Sequence, residues 1–134
     1  MMNDDTSLTV ELTDDGSATL FVPALDEHYH SVKGALTESD HIYRDCAYRY
    51  ASERSAHRPL RLLEVGFGTG LNAAVTAMAA TAEHPVHYIT LEKYPVDSSL
   101  VERLGYGTLV DAHLFAALHA APWEQPTSIT PHFT

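Results

Sequence analysis

The string Leu60-Arg61-Leu62-Leu63-Glu64-Val65-Gly66-Phe67-Gly68-Thr69-Gly70 constrains this chain more than any other stretch. Leu60 to Val65 is a short apolar run with the length of a strand. Three glycines at alternate positions follow. A backbone with so few Cβ atoms turns tightly and lets another group approach it closely. Leu71 to Ala82 is alanine-rich and predicts a helix. Glu83-His84-Pro85 ends that helix, and Val86-His87-Tyr88-Ile89-Thr90-Leu91 reads as a second strand closed by Glu92. Strand, glycine turn, helix and strand in this order predict a βαβ crossover with two parallel neighbouring strands.

Glu64 to Gly70 follows the acidic-x-Gly-x-Gly-x-Gly pattern of methyltransferase cofactor loops, so S-adenosylmethionine is the expected ligand. The helix behind the turn aims its free N–H groups at the same place, which suits the carboxylate of the methionine end. Glu64 is expected to complement the ammonium and sulfonium charge, and Glu92 to accept both ribose hydroxyl protons. A nicotinamide dinucleotide site is the competing reading. Its fingerprint wants the third glycine one place later, where Leu71 stands. A turn that only packs a helix on a strand is the bland alternative.

Upstream, Leu8-Thr9-Val10-Glu11-Leu12 alternates apolar and polar, Asp15-Gly16 marks a turn, and Ala18 to Val22 returns, with Pro23 as its stop. An N-terminal β-hairpin is therefore predicted. Asp26 to Leu36 reads as a polar loop around Gly34. A helix is predicted from Thr37, with Asp40 completing a variant capping box, to Ala56. Its apolar stripe is Ile42, Cys46 and Tyr50, with Tyr43 and Ala47 beside them. Beyond Glu92, Lys93 to Gly107 is a loop or short helix, Thr108 to Ala121 a second alanine-rich helix, and the segment near Ile129 the start of a third strand. The expectation is one α/β domain over residues 1–134: hairpin and entry loop in 1–36, then a helix and a Rossmann-like cofactor-binding portion in 37–134.

Composition narrows the function classes. At 45 % hydrophobic residues the chain is globular in type, and its net charge of −10 argues against a protein that simply coats nucleic acid. Arg44, Arg49, Arg54, Arg58 and Arg61 form the one basic concentration, interrupted by Asp45 and Glu53, and read as a solvated face, with a phosphate-facing patch as the alternative. The single cysteine excludes an intramolecular disulfide and a multi-thiolate metal centre. Cys46 is read as a small buried hydrophobe. His28-x-His30 is read as a pair of loop histidines at a substrate mouth, and no metal site is expected. Tyr29 and Tyr94 could stack on a base or pack as ordinary rings. Met1 to Asp5 lacks the basic and apolar regions of a signal peptide, and no stretch suits a bilayer, so a cytoplasmic location is the default.

Leu63 to Asn72 followed by Leu91-Glu92-Lys93-Tyr94-Pro95 resembles the methyltransferase domain of the MnmC-like family, which acts in tRNA 5-methylaminomethyl-2-thiouridine biosynthesis. Glu27-His28-Tyr29-His30-Ser31, Gly34-Ala35, Glu38-Ser39 and the turn Thr13 to Ser17 share the likeness, which runs from Leu8 to Thr134. Its most specific part is Gly-Phe-Gly-Thr-Gly-Leu-Asn. The resemblance implies a class I methyltransferase fold and methyl transfer from adenosylmethionine to the amine of 5-aminomethyl-(2-thio)uridine at the tRNA wobble position. It places Glu64, Gly66, Phe67, Gly68, Thr69, Gly70, Asn72, Glu92 and Lys93 at the cofactor, and Tyr29, Ser31, Gly34 and Glu38 along the same cleft. Family members continue past the point where this chain stops, into a segment whose aspartate receives the substrate amine. Asp111-Ala112-His113 is the nearest echo. The domain is thus expected to be incomplete at its C-terminus, with no catalytic residue assigned. A cofactor-binding or partner-associating chain without turnover, or a homodimer, stands as the alternative.

Overall fold

A computed structural model describes residues 7–56 and 58–134. The leader reading of Met1 to Asp5 lies outside them. Three short strands, β1 (Thr9–Leu12), β2 (Ala18–Val22) and β3 (Glu27–His28), form an antiparallel meander. The predicted hairpin gains its third strand from the segment read as loop. Phe21 pairs with His28 and Val22 with Glu27, so two residues suffice to turn the chain back.

Asp15, in the turn between β1 and β2, fastens the meander to the next helix. Its carboxylate accepts from the Ser17 N–H at 2.9 Å and from the Thr37 N–H and hydroxyl at 2.9 and 2.7 Å. Burial opposes ionisation of Asp15, but these hydrogen bonds outweigh it and hold the carboxyl far below its usual range. Helix α1 (Ala35–Ser39) therefore starts two residues before the predicted Thr37, and its N-terminal cap comes from across the chain. No local capping box is needed.

The helical run continues without a break as a π-helix over Asp40–Arg49 and then α2 (Tyr50–Arg54). The π winding explains a correction. Hydrogen bonds in such a helix run five residues back instead of four, so its turns are wider and the inward face drifts from that of a regular helix. Tyr43 and Tyr48 accordingly pack inward, while Ile42, Cys46 and Tyr50 of the predicted stripe are exposed. Cys46 is not a core residue.

Strands β4 (Leu60–Val65) and β5 (Val86–Leu91) have the predicted boundaries and pair in parallel, from Leu60 opposite Val86 to Val65 opposite Leu91. Helix α3 (Leu71–Ala79) joins them and ends three residues before the predicted Ala82. After β5, α4 (Ser98–Arg103) is capped by Asp97, and α5 (Ala112–Ala120) by Asp111, whose carboxylate accepts from the Leu114 N–H at 2.8 Å. Asp111 thus precedes the helix and does not lie within it. The chain then runs beside β5, with Val86 donating to His132 O and Tyr88 to Thr134 O, both at 2.8 Å. The anticipated third parallel segment forms at the final residues, a little beyond Ile129.

Two apolar clusters hold these parts together. One joins the meander to α3, α4 and α5 through Leu20, Leu71, Val75, Leu104, Tyr106 and Phe115. The other packs Leu60, Val86 and Phe133 against Ala73, Ala77 and Tyr48. Among the described residues, only one face of the β4–β5 pair is covered. On the other, Leu63, Val65, Ile89 and Leu91 are exposed, Val65 by 80 %. Among the described residues no helix is long and apolar enough to cross a membrane.

Candidate functional site

The glycine turn sits at the C-terminal ends of both parallel strands. Gly66 donates to Leu91 O at 2.7 Å, which extends the ladder one step past β4. Gly66, Gly68 and Gly70 all lie at positive φ, +92°, +54° and +81°. A side chain at Gly68 would also meet the Tyr29 ring, 3.1 Å from an ideal Cβ. One at Gly70 would stand 2.8 Å from His119 Nε2 and 2.9 Å from Phe67 Cζ. Both positions therefore require glycine for conformation and for space. The Gly70 N–H donates to Phe67 O at 3.0 Å and closes the turn. The first N–H groups of α3 have no carbonyl one turn behind them and face this end of the sheet.

Two carboxyl groups serve the turn differently. Glu92, just past β5, accepts from the Gly68 N–H at 2.9 Å and from the Tyr94 N–H at 2.8 Å. Each of its oxygens keeps a further lone pair. Glu64 lies on the covered face of β4 and is 1 % exposed. It accepts hydrogen bonds from the Tyr88 hydroxyl and, at 3.4 Å, from that of Thr90. Burial pushes its pKa up to about 8, the Thr90 bond opposes this, and the nearby Glu92 charge adds to it. At neutral pH Glu64 is mostly uncharged. A cation beside it, such as the expected sulfonium or ammonium, would favour the ionised form again, so the role toward a positively charged ligand stands as a proposal.

The entry segment closes over the turn from the other side. Tyr29 lays its ring on Gly68, and burial together with the Glu92 charge raises its pKa. Glu38 accepts from the Ser31 N–H at 3.2 Å and lies 3.4 Å from His30 Nδ1. The Ser31 hydroxyl accepts from the Lys33 N–H at 3.1 Å. Gly34 is packed on Asp15, where a Cβ would stand 2.5 Å from Oδ2. Its place is in the meander-to-helix clip. Asn72, in the first turn of α3, lies beside the Tyr43 hydroxyl. Lys93 is exposed, its ammonium 5.0 Å over the Tyr94 ring.

Three residues not assigned to the cofactor from sequence also meet the turn. His30, 8 % exposed, has Nε2 3.0 Å from the Thr69 hydroxyl. His119 donates from Nε2 to Thr69 O at 3.0 Å. Trp123 stands edge-on to Phe67, their ring centroids 5.8 Å apart, beside a cavity of about 340 Å³ that Tyr88, Thr90 and Phe133 also line. His28 and His30 do not converge, since His28 pairs with Glu11 at 2.7 Å. Among the described residues no group of three or more His, Cys, Asp or Glu is placed to hold a metal ion. In the arginine group, Arg44 pairs with Asp40 and Asp45, and Arg54 lies over the Tyr50 ring.

No family model matches the chain. Among curated proteins it is similar to the tRNA 5-methylaminomethyl-2-thiouridine biosynthesis bifunctional protein MnmC of Burkholderia mallei, 30 % identical over 128 residues. That match covers 92 % of this chain and 17 % of that protein. The protein of the same name from Burkholderia thailandensis is 32 % identical over 94 residues, covering 65 % of this chain and 14 % of that protein. The crystal structure of MNMC2 from Aquifex aeolicus aligns with a TM-score of 0.58 at 30 % identity, over 72 % of this chain and 33 % of that one. This chain therefore spans 17 % of the length of the first of these curated relatives. By this similarity the chain is MnmC-like.

Proposed function

We propose that this chain forms the cofactor-binding portion of a Rossmann-like class I methyltransferase domain and binds S-adenosylmethionine at Gly66 to Gly70. The observation that carries this reading is the pairing of a three-glycine turn with Glu92 from the neighbouring parallel strand, at the ends of β4 and β5. In doubly wound sheets this is where ligands bind. The donor set fits the cofactor: free N–H groups at the start of α3 for a carboxylate, and lone pairs on Glu92 for ribose hydroxyls. Phe67, Thr69, Asn72 and Lys93 border the same end, and Tyr29 with Glu38 and Ser31 forms the near wall. Without ligand, Glu64 supports the strand end from below as a neutral hydrogen-bonding group; the cofactor's positive charge beside it would favour its ionised form. When bound, the cofactor would supply a methyl group on a positively charged sulfur. The protein's part is to hold the acceptor amine in line with it.

By its MnmC-like sequence, the substrate is the aminomethyl group of 5-aminomethyl-(2-thio)uridine in tRNA, acted on in the cytoplasm. A second reading, cofactor binding without turnover by this chain alone, is favoured by one observation. Asp111, the nearest echo of the family's amine-accepting aspartate, caps α5. Calorimetric titration with adenosylhomocysteine tests the cofactor reading. Glu92→Ala is expected to weaken binding by on the order of 1–3 kcal/mol, the cost of unmaking hydrogen bonds to a charged group. Unchanged affinity in that variant would remove the ribose role. Transfer of labelled methyl to tRNA carrying the aminomethyl nucleoside separates the enzyme from the binding-only chain.

A further inference from the structure

Thr69 is the residue of the turn most tightly held from outside, and none of its outside partners belongs to the cofactor motif. Its side chain is 1 % exposed and faces His30 from the entry segment and Tyr106 from the stretch before α5. Its carbonyl takes the His119 bond. It sits between two glycines in left-handed conformation, so the peptides on either side have unusual rotational freedom. We propose that His30 is a positioning residue for the cofactor turn, holding the Thr69 hydroxyl from the entry segment while Glu38 fixes the orientation of its ring. This rests on the reading of the turn as the cofactor site.

The partners set the tautomer. The Glu38 carboxylate can only accept, so Nδ1, 3.4 Å away, carries the proton. Nε2 is then bare and accepts the Thr69 hydroxyl proton at 3.0 Å. Burial lowers the pKa of His30 against the pull of Glu38, which keeps the ring in this neutral form. The His30 N–H donates to the Thr19 hydroxyl at 3.0 Å, so the residue is anchored to β2 at one end and to the turn at the other. A turn already held in its binding shape loses little entropy when ligand arrives.

The test compares wild type, His30→Leu, His30→Gln and Thr69→Val. Two readouts are used: amide hydrogen exchange at Gly66 to Gly70 in the ligand-free protein, and calorimetric titration with adenosylhomocysteine. His30→Leu should speed exchange in the turn, with β4 and β5 amides protected as in wild type, and weaken binding about tenfold, the scale of one lost hydrogen bond in a buried site. His30→Gln, whose side-chain oxygen can take the Thr69 proton, should restore both. Thr69→Val should mimic His30→Leu, and the double variant should be no worse than either. If His30→Leu fails to fold, Thr69→Val removes the same bond from the other side and reads the same effect. Wild-type exchange in the leucine variant, glutamine behaving like leucine, or additive effects would each overturn the proposal. A wild type that binds no adenosylhomocysteine overturns the cofactor reading instead, and the exchange data still decide whether His30 positions the turn.

Discussion

Replacing Glu64 with glutamine should make the protein more stable at alkaline pH and leave it nearly unchanged at mildly acidic pH. Glu64 titrates at an ordinary value of 4.5 in the unfolded chain and at about 8 when folded. The folded state therefore binds the extra proton between these values, and stability falls as pH rises through that window. Each pH unit of such a difference is about 1.4 kcal/mol, so the loss between about pH 5 and pH 9 is on the order of 3–5 kcal/mol. Glutamine keeps the shape, with its oxygen accepting from one of the Tyr88 and Thr90 hydroxyls and its NH2 donating to the other, and it has no proton to lose. His30 and His119, whose pKa values burial lowers, contribute in both proteins and cancel in the difference. Denaturant unfolding of both proteins across that range is the assay. Parallel stability profiles for the two would show that Glu64 does not ionise with folding-linked cost.

Other substitutions test other parts of the structure. Gly70→Ala puts a Cβ against His119 and Phe67 at positive φ and should cost on the order of 1–3 kcal/mol by thermal unfolding; a neutral result would mean that the turn can relax. Asp15→Ala removes the cap on α1 and should cost about 1 kcal/mol near neutral pH. Because the folded pKa of Asp15 is depressed, that difference should shrink only as pH falls through the strongly acidic range, and urea titrations at both ends would reveal any other pattern. Val65→Lys, on the open sheet face, should change stability by less than about 0.5 kcal/mol; a large loss would show that this face is covered. With a net charge of −10, the chain alone should bind tRNA weakly and with steep salt dependence, and tight salt-insensitive binding in filter assays would contradict this.

The parts legible from sequence were those with strong local signals. Leu60 to Val65 and Val86 to Leu91 are apolar runs bounded by glycine or proline, and both strands keep their predicted limits. The turn glycines were readable because nothing else explains three in five residues. Long-range contacts were not readable. Asp15 caps a helix 22 residues away, which makes the local capping box at Thr37 irrelevant. The π winding of Asp40–Arg49 turns the inward face from Ile42, Cys46 and Tyr50 toward Tyr43 and Tyr48. The charge of Glu64 is set by burial among residues of another strand. The partners of Thr69 are a histidine in a segment read as loop and one in a helix read only from its alanines.

Those partners lie 39 residues before Thr69 and 50 residues after it. Closing such separations is slow and costs loop entropy before any contact returns it. The turn itself is local, yet its final shape waits for both. As the chain leaves the ribosome, the βαβ unit can assemble while the ring of His119 is still unavailable. Ligand competence should therefore lag behind secondary structure in refolding, as a separate and later kinetic phase. Mutations in α5, well away from the glycines in sequence, should lengthen that delay without altering the βαβ unit that forms first.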